Sequence, residues 1–214
     1  MITRLFFALL ILATLSGCNS DKSTYALIST EFGDMKVKLY NSTPQHRDNF
    51  IKLAEEGFYD GTLFHRVIAG FMIQGGDPDS KTAPAGQSLG MGGPGYTVPA
   101  EIGALHLKGA LAAARTQNPE KASSGSQFYI VQGKPVTDAE LDNIGQRAGR
   151  PYSDVQRQLY KELGGTPQLD FEYTVFGEVV EGLEVIDAIA AVSTNPQAGN
   201  RPLSDVKMTV KILN

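Results

Sequence analysis

The chain has 214 residues, of which 42% are hydrophobic and 20% charged, and 19 basic against 23 acidic residues give it a net charge of −4. This length is enough for one domain with a sizeable core, and we expect no second domain. The acidic balance argues against nucleic acid or an anionic lipid surface as an electrostatic partner. The single cysteine, Cys18, excludes an internal disulfide bond.

The first 17 residues have the pattern of a secretory signal peptide. One positive charge, Arg4, precedes the apolar run 5–12, and small residues follow before Cys18. The run is too short to form a stable membrane span. Residues 15–18, Leu-Ser-Gly-Cys, resemble the bacterial lipobox, in which the cysteine is acylated and the preceding segment removed. The resemblance implies a lipoprotein that begins at Cys18; the alternative is a plain secreted protein with an incidental cysteine.

The expected mature protein begins with a short tether. Removal of residues 1–17 leaves 197 residues, with 18 basic against 23 acidic side chains and a net charge of −5. Residues 18–23 are polar, as is typical of a lipid-anchored tether, and residues 24–214 form the folded domain. We therefore expect a protein of the cell envelope, held at the periplasmic or surface face of a membrane by lipid on Cys18.

Two predicted strands and a predicted helix follow the tether. Residues 25–30 and 35–40 mostly alternate apolar with other residues, which indicates strands. Thr43 suits the N-cap of a helix, and Pro44 suits its first position. Apolar residues then recur at helical spacing up to a glycine that can end the helix: Phe50, Leu53, Ala54 and Gly57.

Residues 64–77 predict a β-hairpin that carries two polar tips. The strands 64–68 and 71–74 are separated by Ala69-Gly70, so Arg66 and Gln74 are expected on neighbouring strands above apolar side chains. Alternation places Phe64 on the face of Arg66, and His65 on the opposite face as a hydrogen-bonded barrel residue. The alternative for the hairpin is a purely structural one, with Arg66 reaching solvent and Gln74 satisfying a backbone group.

Residues 137–167 predict a helical hairpin. The first helix begins with the capping pattern 137–140 and continues through Leu141, Ile144 and Ala148 to Gly149. Ser153 caps the second helix, whose apolar positions are Val155, Leu159, Tyr160 and Leu163. The hairpin has either a role in substrate choice or none beyond decorating the surface. Further along, residues 182–191 predict a helix and residues 206–213 a strand.

Four ordered motifs resemble the cyclophilin family of peptidyl-prolyl isomerases. Residues 64–77, FHRVIAGFMIQGGD, and residues 123–130, SSGSQFYI, are similar to two signatures of that family. Residues 109–115 look like the strand that lines its proline pocket, and residues 169–179 like its closing strand. The resemblance implies a mainly β fold, an eight-stranded antiparallel barrel capped by two helices. The helical insertion before the closing strand is a departure from a minimal member.

The resemblance also implies a site. Arg66 is the catalytic residue in this interpretation, donating to the prolyl nitrogen, and Gln74 holds the substrate carbonyl. The other substrate contacts would be Phe71, Met72, Ala114, Arg115, Gln127, Phe128, Leu169 and Tyr173, with Phe71, Met72, Phe128 and Leu169 forming the socket for the proline ring. Gln168 stands where many members have tryptophan, and Tyr173 where they often have histidine.

Rotation about the X-Pro bond breaks no covalent bond, so the expected enzyme needs neither cofactor nor metal. The three histidines are far apart in the sequence and lack carboxylates at metal-ligand spacing. The expected partners are proline-containing unfolded or partly folded polypeptides, bound by a monomer. The alternative to an isomerase of the cell envelope is a non-catalytic chaperone or scaffold that binds proline peptides at the membrane.

Overall fold

A computed structural model describes residues 23–213 of the chain, so the expected signal peptide and Cys18 lie outside the described residues. The four α-helices of this part are α1 (Pro44–Glu55), α2 (Asp138–Ala148), α3 (Asp154–Leu163) and α4 (Leu183–Ala190). Short 3-10 helices cover Pro78–Lys81, Pro167–Leu169 and Pro196–Ala198. The strands are β1 (Thr24–Thr30), β2 (Gly33–Leu39), β3 (Arg66–Ile68), β4 (Met72–Gly75), β5 (Thr97–Val98), β6 (Ala110–Ala113), β7 (Ser123–Ser124), β8 (Phe128–Val131), β9 (Val175–Glu181), β10 (Thr194–Asn195), β11 (Arg201–Pro202) and β12 (Met208–Leu213).

Eight of these strands form one antiparallel sheet in the order β12-β1-β2-β9-β6-β8-β4-β3. Its two edges meet where Leu63 forms an isolated bridge with Lys207. The N–H of Phe64 donates to the Val206 carbonyl at 2.9 Å beside this bridge. The predicted eight-stranded antiparallel barrel is confirmed as a curled sheet, whose two edges are joined by a short bridge rather than by a full ladder.

The main core lies between this sheet and two helices. Alternate residues of β2, among them Met35 and Val37, are fully buried because successive strand side chains point to opposite faces. Phe50 of α1 and Ile186 of α4 belong to the same buried cluster. The two capping helices are therefore confirmed. No helix within residues 23–213 combines the length and the apolar character that a membrane crossing requires.

The start of α1 differs from the prediction in one respect. Thr43 is the N-cap residue, but its side chain accepts no hydrogen bond from the helix. The carboxylate of Glu101 takes that role, since it accepts the N–H groups of Gln45 and His46 at 3.1 and 3.0 Å. The first N–H groups of a helix need an acceptor, and here it comes from a distant loop that local sequence could not indicate.

The helical insertion is confirmed. Thr137 with Glu140 and Ser153 with Gln156 form capping boxes, and α2 ends at Gly149 in the left-handed conformation. The predicted apolar face of α3 is narrower than expected, because Val155 and Leu163 are 71% and 51% exposed. The insertion has its own small core, made of Val136, Leu141, Tyr152 and Tyr160.

The segment 169–179 is only partly a strand. Its first residue closes a 3-10 turn that begins at Pro167, and β9 starts at Val175. Between them the chain turns again, with the N–H of Glu172 donating to the Leu169 carbonyl at 3.2 Å. The prediction of one continuous strand was wrong here, because Pro167 begins a 3-10 turn and the chain turns once more before Val175. The turn brings Leu169 towards the site.

Candidate active site

The predicted hairpin is present, and it holds the side chains of Arg66 and Gln74 next to each other. Arg66 of β3 lies directly opposite Gln74 of β4, and its Nη1 donates to Gln74 Oε1 at 3.0 Å. Gln74 Nε2 in turn donates to Gln127 Oε1 at 3.1 Å, and Gln127 Nε2 donates to the Gly92 carbonyl at 2.7 Å. This row of hydrogen bonds fixes the orientation of the Gln74 amide.

The pair lies at a pocket of about 250 Å³ between β3, β4 and the turn after the insertion. The wall contains eight of the residues predicted for the site: Arg66, Phe71, Met72, Gln74, Ala114, Arg115, Leu169 and Tyr173. Four further residues complete it: His65, Leu89, Gly90 and Tyr129. Gln127 lies behind the wall, in contact with Gln74. The fold thus brings together residues from positions 65 to 173.

Phe128 does not lie in the proline socket, so this prediction was wrong. Its side chain is 1% exposed and belongs to the main core, where its ring lies 5.6 Å from the rings of Phe50 and Tyr59. The neighbouring Tyr129 faces the pocket instead, because successive side chains of β8 point to opposite sides of the sheet. Alternation shows that Phe128 and Tyr129 face opposite sides of the sheet, but all four residues of β8 are buried, so it does not show which of the two faces the pocket.

His65 also differs from the prediction. The side chain is 2% exposed, yet neither ring nitrogen has a hydrogen-bond partner among the described residues. It lines the same pocket as Arg66, while Phe64 and Val67 both face the main core. The predicted alternation fails because β3 begins only at Arg66. Burial lowers the pKa of His65 to about 4, so the imidazole is neutral at pH 7.

The two arginines of the pocket differ in their partners: Arg115 is paired with a carboxylate among residues 23–213, and Arg66 is not. Within residues 23–213, no carboxylate lies within 4.0 Å of the Arg66 guanidinium, whose one hydrogen-bond partner is the neutral Gln74. Partial burial lowers the pKa of Arg66, but an arginine remains charged at neutral pH. Arg115 is paired with Glu172 at 3.1 Å and lies 4.7 Å from the centre of the Tyr173 ring. Arg66 is therefore the arginine whose charge is available to a ligand.

The pocket wall opposite the hairpin is aromatic and apolar. Tyr173 meets Tyr129 edge to face with ring centroids 5.9 Å apart, and Leu169 packs in the same cluster. Gln168 stands where many members of the family that the motifs resemble have tryptophan. Its side chain is exposed and does not line this pocket. No three His, Cys, Asp or Glu side chains are grouped as metal ligands in the described part of the chain. The chemistry available is hydrogen bonding from a fixed cation beside apolar surfaces.

Comparison with known proteins agrees with this geometry. The family described as cyclophilin type peptidyl-prolyl cis-trans isomerase/CLD matches residues 25–212. A protein of Staphylococcus aureus (strain USA300) named as a peptidyl-prolyl cis-trans isomerase is 40% identical over 181 residues, covering 84% of this chain and 86% of its own. A protein of the same name from Staphylococcus epidermidis (strain ATCC 35984) is 38% identical over 187 residues, covering 87% of this chain and 89% of its own.

Two solved structures are similar to the whole domain. A cyclophilin type peptidyl-prolyl cis-trans isomerase of Cryptosporidium parvum superposes with a TM-score of 0.64 at 24% identity, covering 90% of this chain and 98% of its own. The same protein crystallised in the presence of the dipeptide Ala-Pro gives a TM-score of 0.63 at 25% identity, over 89% and 99%. The family match spans nearly the whole described domain, and the pocket joins its separate motifs. The chain belongs to the cyclophilin-type peptidyl-prolyl cis-trans isomerases.

Proposed function

We propose that Arg66 is the catalytic residue and that it accelerates X-Pro isomerisation in polypeptides folding in the cell envelope. The observation that carries this proposal is a partly buried guanidinium that has no carboxylate partner among residues 23–213 and lies at the edge of a pocket with an aromatic and apolar wall. Such a charge is costly to desolvate, and a ligand that accepts its hydrogen bonds offsets that cost.

The chemistry required is stabilisation of a twisted amide. Resonance gives the X-Pro bond a barrier of about 18–20 kcal/mol, and rotation takes tens to hundreds of seconds. Rotation removes the resonance and leaves the prolyl nitrogen pyramidal, with a lone pair that can accept a hydrogen bond. A guanidinium N–H aimed at this nitrogen stabilises the twisted state more than either planar isomer. An acceleration of 10⁴-fold or more needs about 5 to 6 kcal/mol of such selective stabilisation.

Gln74 has the complementary task of holding the substrate carbonyl. An amide nitrogen has two N–H donors, and one of them is engaged by Gln127. The second N–H is left for the carbonyl of the residue before proline. Phe71, Met72, Leu169 and Tyr173 supply apolar surface for the ring itself. This division gives the site positioning groups on one side and an electrostatic donor on the other.

The test is proline-limited refolding of a substrate protein with wild type and Arg66→Ala. We expect the variant to lose about 10²- to 10³-fold in activity, the range seen when a transition-state donor is removed. Arg66→Lys keeps the charge but not the planar fork, so it should recover only part of the rate. Arg147→Ala, which removes an exposed arginine of α2, is the matched control. Equal rates for wild type and Arg66→Ala would contradict the proposal.

The alternative of a non-catalytic binding module is not favoured. The relatives are named as isomerases, and a module that only holds proline segments has no need of a partly buried cation without an acidic partner.

The cellular setting is the second part of the proposal. Cys18 would carry lipid, and the five residues 19–23 connect it to β1, which starts at Thr24. A fully extended tether of that length spans roughly 17 Å, so the domain would work close to the membrane surface. We also propose that it works as a monomer. The net charge of −5 after removal of residues 1–17 supports lipid rather than charge as the anchor, and also supports the absence of nucleic-acid binding.

Cell fractionation with Cys18→Ala tests this anchor. We expect the wild-type protein in the membrane fraction, and the variant in a soluble fraction of the envelope or in the medium, because it would lack the acyl chains. Mass analysis of the N-terminus should show lipid on Cys18 and no residues before it. An unmodified Cys18, or a variant that stays with the membrane, would remove lipid as the anchor.

A further inference from the structure

A buried carboxylate receives hydrogen bonds from the helical insertion. Asp170 lies in the turn after α3 and is almost completely inaccessible to solvent. Its Oδ2 accepts the hydroxyl of Tyr160 at 2.6 Å and the hydroxyl of Tyr152 at 2.8 Å. Both tyrosines belong to the core of the insertion. A buried carboxylate is tolerated only when such donors compensate for lost hydration, so the two tyrosines fix the place of Asp170.

The other oxygen of Asp170 faces the pocket side. Oδ1 accepts the backbone N–H of His106 at 2.8 Å and lies 2.9 Å from His106 Nδ1. Oδ1 therefore holds both the backbone and the ring of His106 in place. On the other side of the ring, His106 Nε2 lies 2.9 Å from the hydroxyl of Tyr129. The hydrogen bonds therefore form an unbroken chain from Asp170 through His106 to Tyr129.

The aromatic wall of the proline pocket rests on this histidine. The Tyr129 ring stacks on His106 with centroids 6.0 Å apart and planes at 14°, and Tyr173 meets His106 edge to face at 6.5 Å. Both tyrosines line the pocket. The position of His106 thus determines where the two rings present their faces to a bound proline.

We propose that the insertion sets substrate affinity by positioning this wall through the chain Tyr152/Tyr160–Asp170–His106–Tyr129. The inference rests on the proposed function, because it assumes that proline binds beside Arg66. Tyr152, Tyr160, Asp170 and His106 are positioning residues, since they act through the two pocket tyrosines. Arg66 and Gln74 are held separately, by their own hairpin and by Gln127.

This separation predicts a split between binding and turnover. Tyr160→Phe removes one donor from a buried carboxylate and keeps the ring, so the wall should loosen while the Arg66–Gln74 pair stays in place. Binding of proline affects substrate and transition state alike, so KM should rise and kcat should stay near the wild-type value. Loss of one such hydrogen bond corresponds to an increase in KM of about 5-fold.

The experiment measures kcat and KM with an Ala-Pro-containing tetrapeptide, below the unfolding temperature of every variant. Tyr59→Phe is the matched control, because it removes a buried hydroxyl, bonded to the Ser126 carbonyl at 3.3 Å, from the main core. We expect its KM to equal that of wild type even where its stability falls. In the wild type Tyr152 donates to the same oxygen, so Tyr152→Phe should repeat the result if Tyr160→Phe does not fold.

Two results would overturn the inference. The first is an unchanged KM in a folded Tyr160→Phe or Tyr152→Phe protein, which would make the insertion a stabilising element alone. The second is a fall in kcat at constant KM. Failure of the proposed function is distinguishable, because it would appear as full activity in Arg66→Ala regardless of the tyrosine variants.

Discussion

Arg66 and His65 are adjacent residues of the pocket, but the first is charged and the second is neutral at pH 7. Arg66 keeps its charge at the pocket edge, with a neutral amide as its hydrogen-bond partner. His65 lines the same pocket but is buried without a hydrogen-bond partner among residues 23–213, which holds its imidazole in the neutral form. The pocket therefore places the charged guanidinium of Arg66 beside a neutral imidazole, and His65 takes up a proton only as the pH falls towards 4.

The neutral state of His65 predicts a pH dependence of stability. Burial lowers its pKa from 6.5 to about 4, so the unfolded chain binds the proton more readily than the folded one. The contribution to the free energy of unfolding is complete above pH 6.5 and is lost progressively as the pH falls towards 4, by about 3 kcal/mol in total. Urea unfolding between pH 4 and 7 measures this loss.

His65→Gln should flatten that dependence, because glutamine does not titrate. We expect the decrease in unfolding free energy between pH 6.5 and 4 to be smaller by about 3 kcal/mol in the variant. His46, whose pKa is also lowered by burial, is present in both proteins and cancels in the comparison. Parallel curves for the two proteins would show that His65 does not titrate as its burial requires.

At the scale of elements, the insertion is attached to the sheet through close backbone contacts. Gly165 bridges both Leu107 and Lys134, and the N–H of Thr166 donates to the His106 carbonyl at 2.8 Å. A Cβ on Gly165 would lie 2.3 Å from the His106 oxygen, and its φ is +153°. A side chain cannot be accommodated there unless the backbone moves, so glycine at this position fixes how the insertion meets β6.

Gly165→Ala is therefore expected to destabilise the protein by about 3 kcal/mol or more, through steric overlap added to backbone strain. Gly149→Ala is the matched control, since Gly149 has a φ of +64° but nothing within 4 Å of an added Cβ. It should cost only about 1 kcal/mol. Thermal or urea unfolding measures the loss of stability in both variants. Equal losses would mean that the backbone around Gly165 moves to accommodate the added Cβ without a loss of unfolding free energy.

At the scale of the molecule, the N-terminal strand of the domain is not an edge. β1 pairs with β2 on one side and with β12 on the other, so the first and last strands of the described domain hold each other in place. Ala26 and Ile28 of β1 are completely buried in the main core. The domain thus closes its own sheet without the residues that precede Thr24.

Two truncated proteins test this closure. A chain that starts at residue 23 should keep the unfolding temperature and the isomerase activity of the full mature protein in solution. A chain that starts at residue 33 loses β1 and exposes β2 and β12, so we expect no cooperative unfolding transition. Loss of activity in the chain that starts at residue 23 would mean that the tether takes part in the fold or in the site.

The helices, turns and strands were predicted from patterns of neighbouring residues. These predictions were reliable where the stabilising contacts also join residues that are close in the sequence. The capping boxes at Thr137 and Ser153, the glycine at position 149 and the Arg66–Gln74 pairing follow from hydrogen bonds between near neighbours in the chain. Phe128 was misplaced because a strand motif gives the alternation of faces but not which face is the core. Burial, which settles that choice, depends on packing against other elements.

The sequence alone determined the four helices, the first, second and last strands, the hairpin with its two polar residues and the family that these motifs resemble. Only the tertiary structure decided that Glu101 caps α1, that His65 enters the pocket without a partner and that Tyr129 takes the place expected for Phe128. It also decided that Asp170 and His106, 64 residues apart, connect the insertion to the pocket. These contacts join positions far apart in the chain, and no local preference encodes which distant groups burial will bring within hydrogen-bond range.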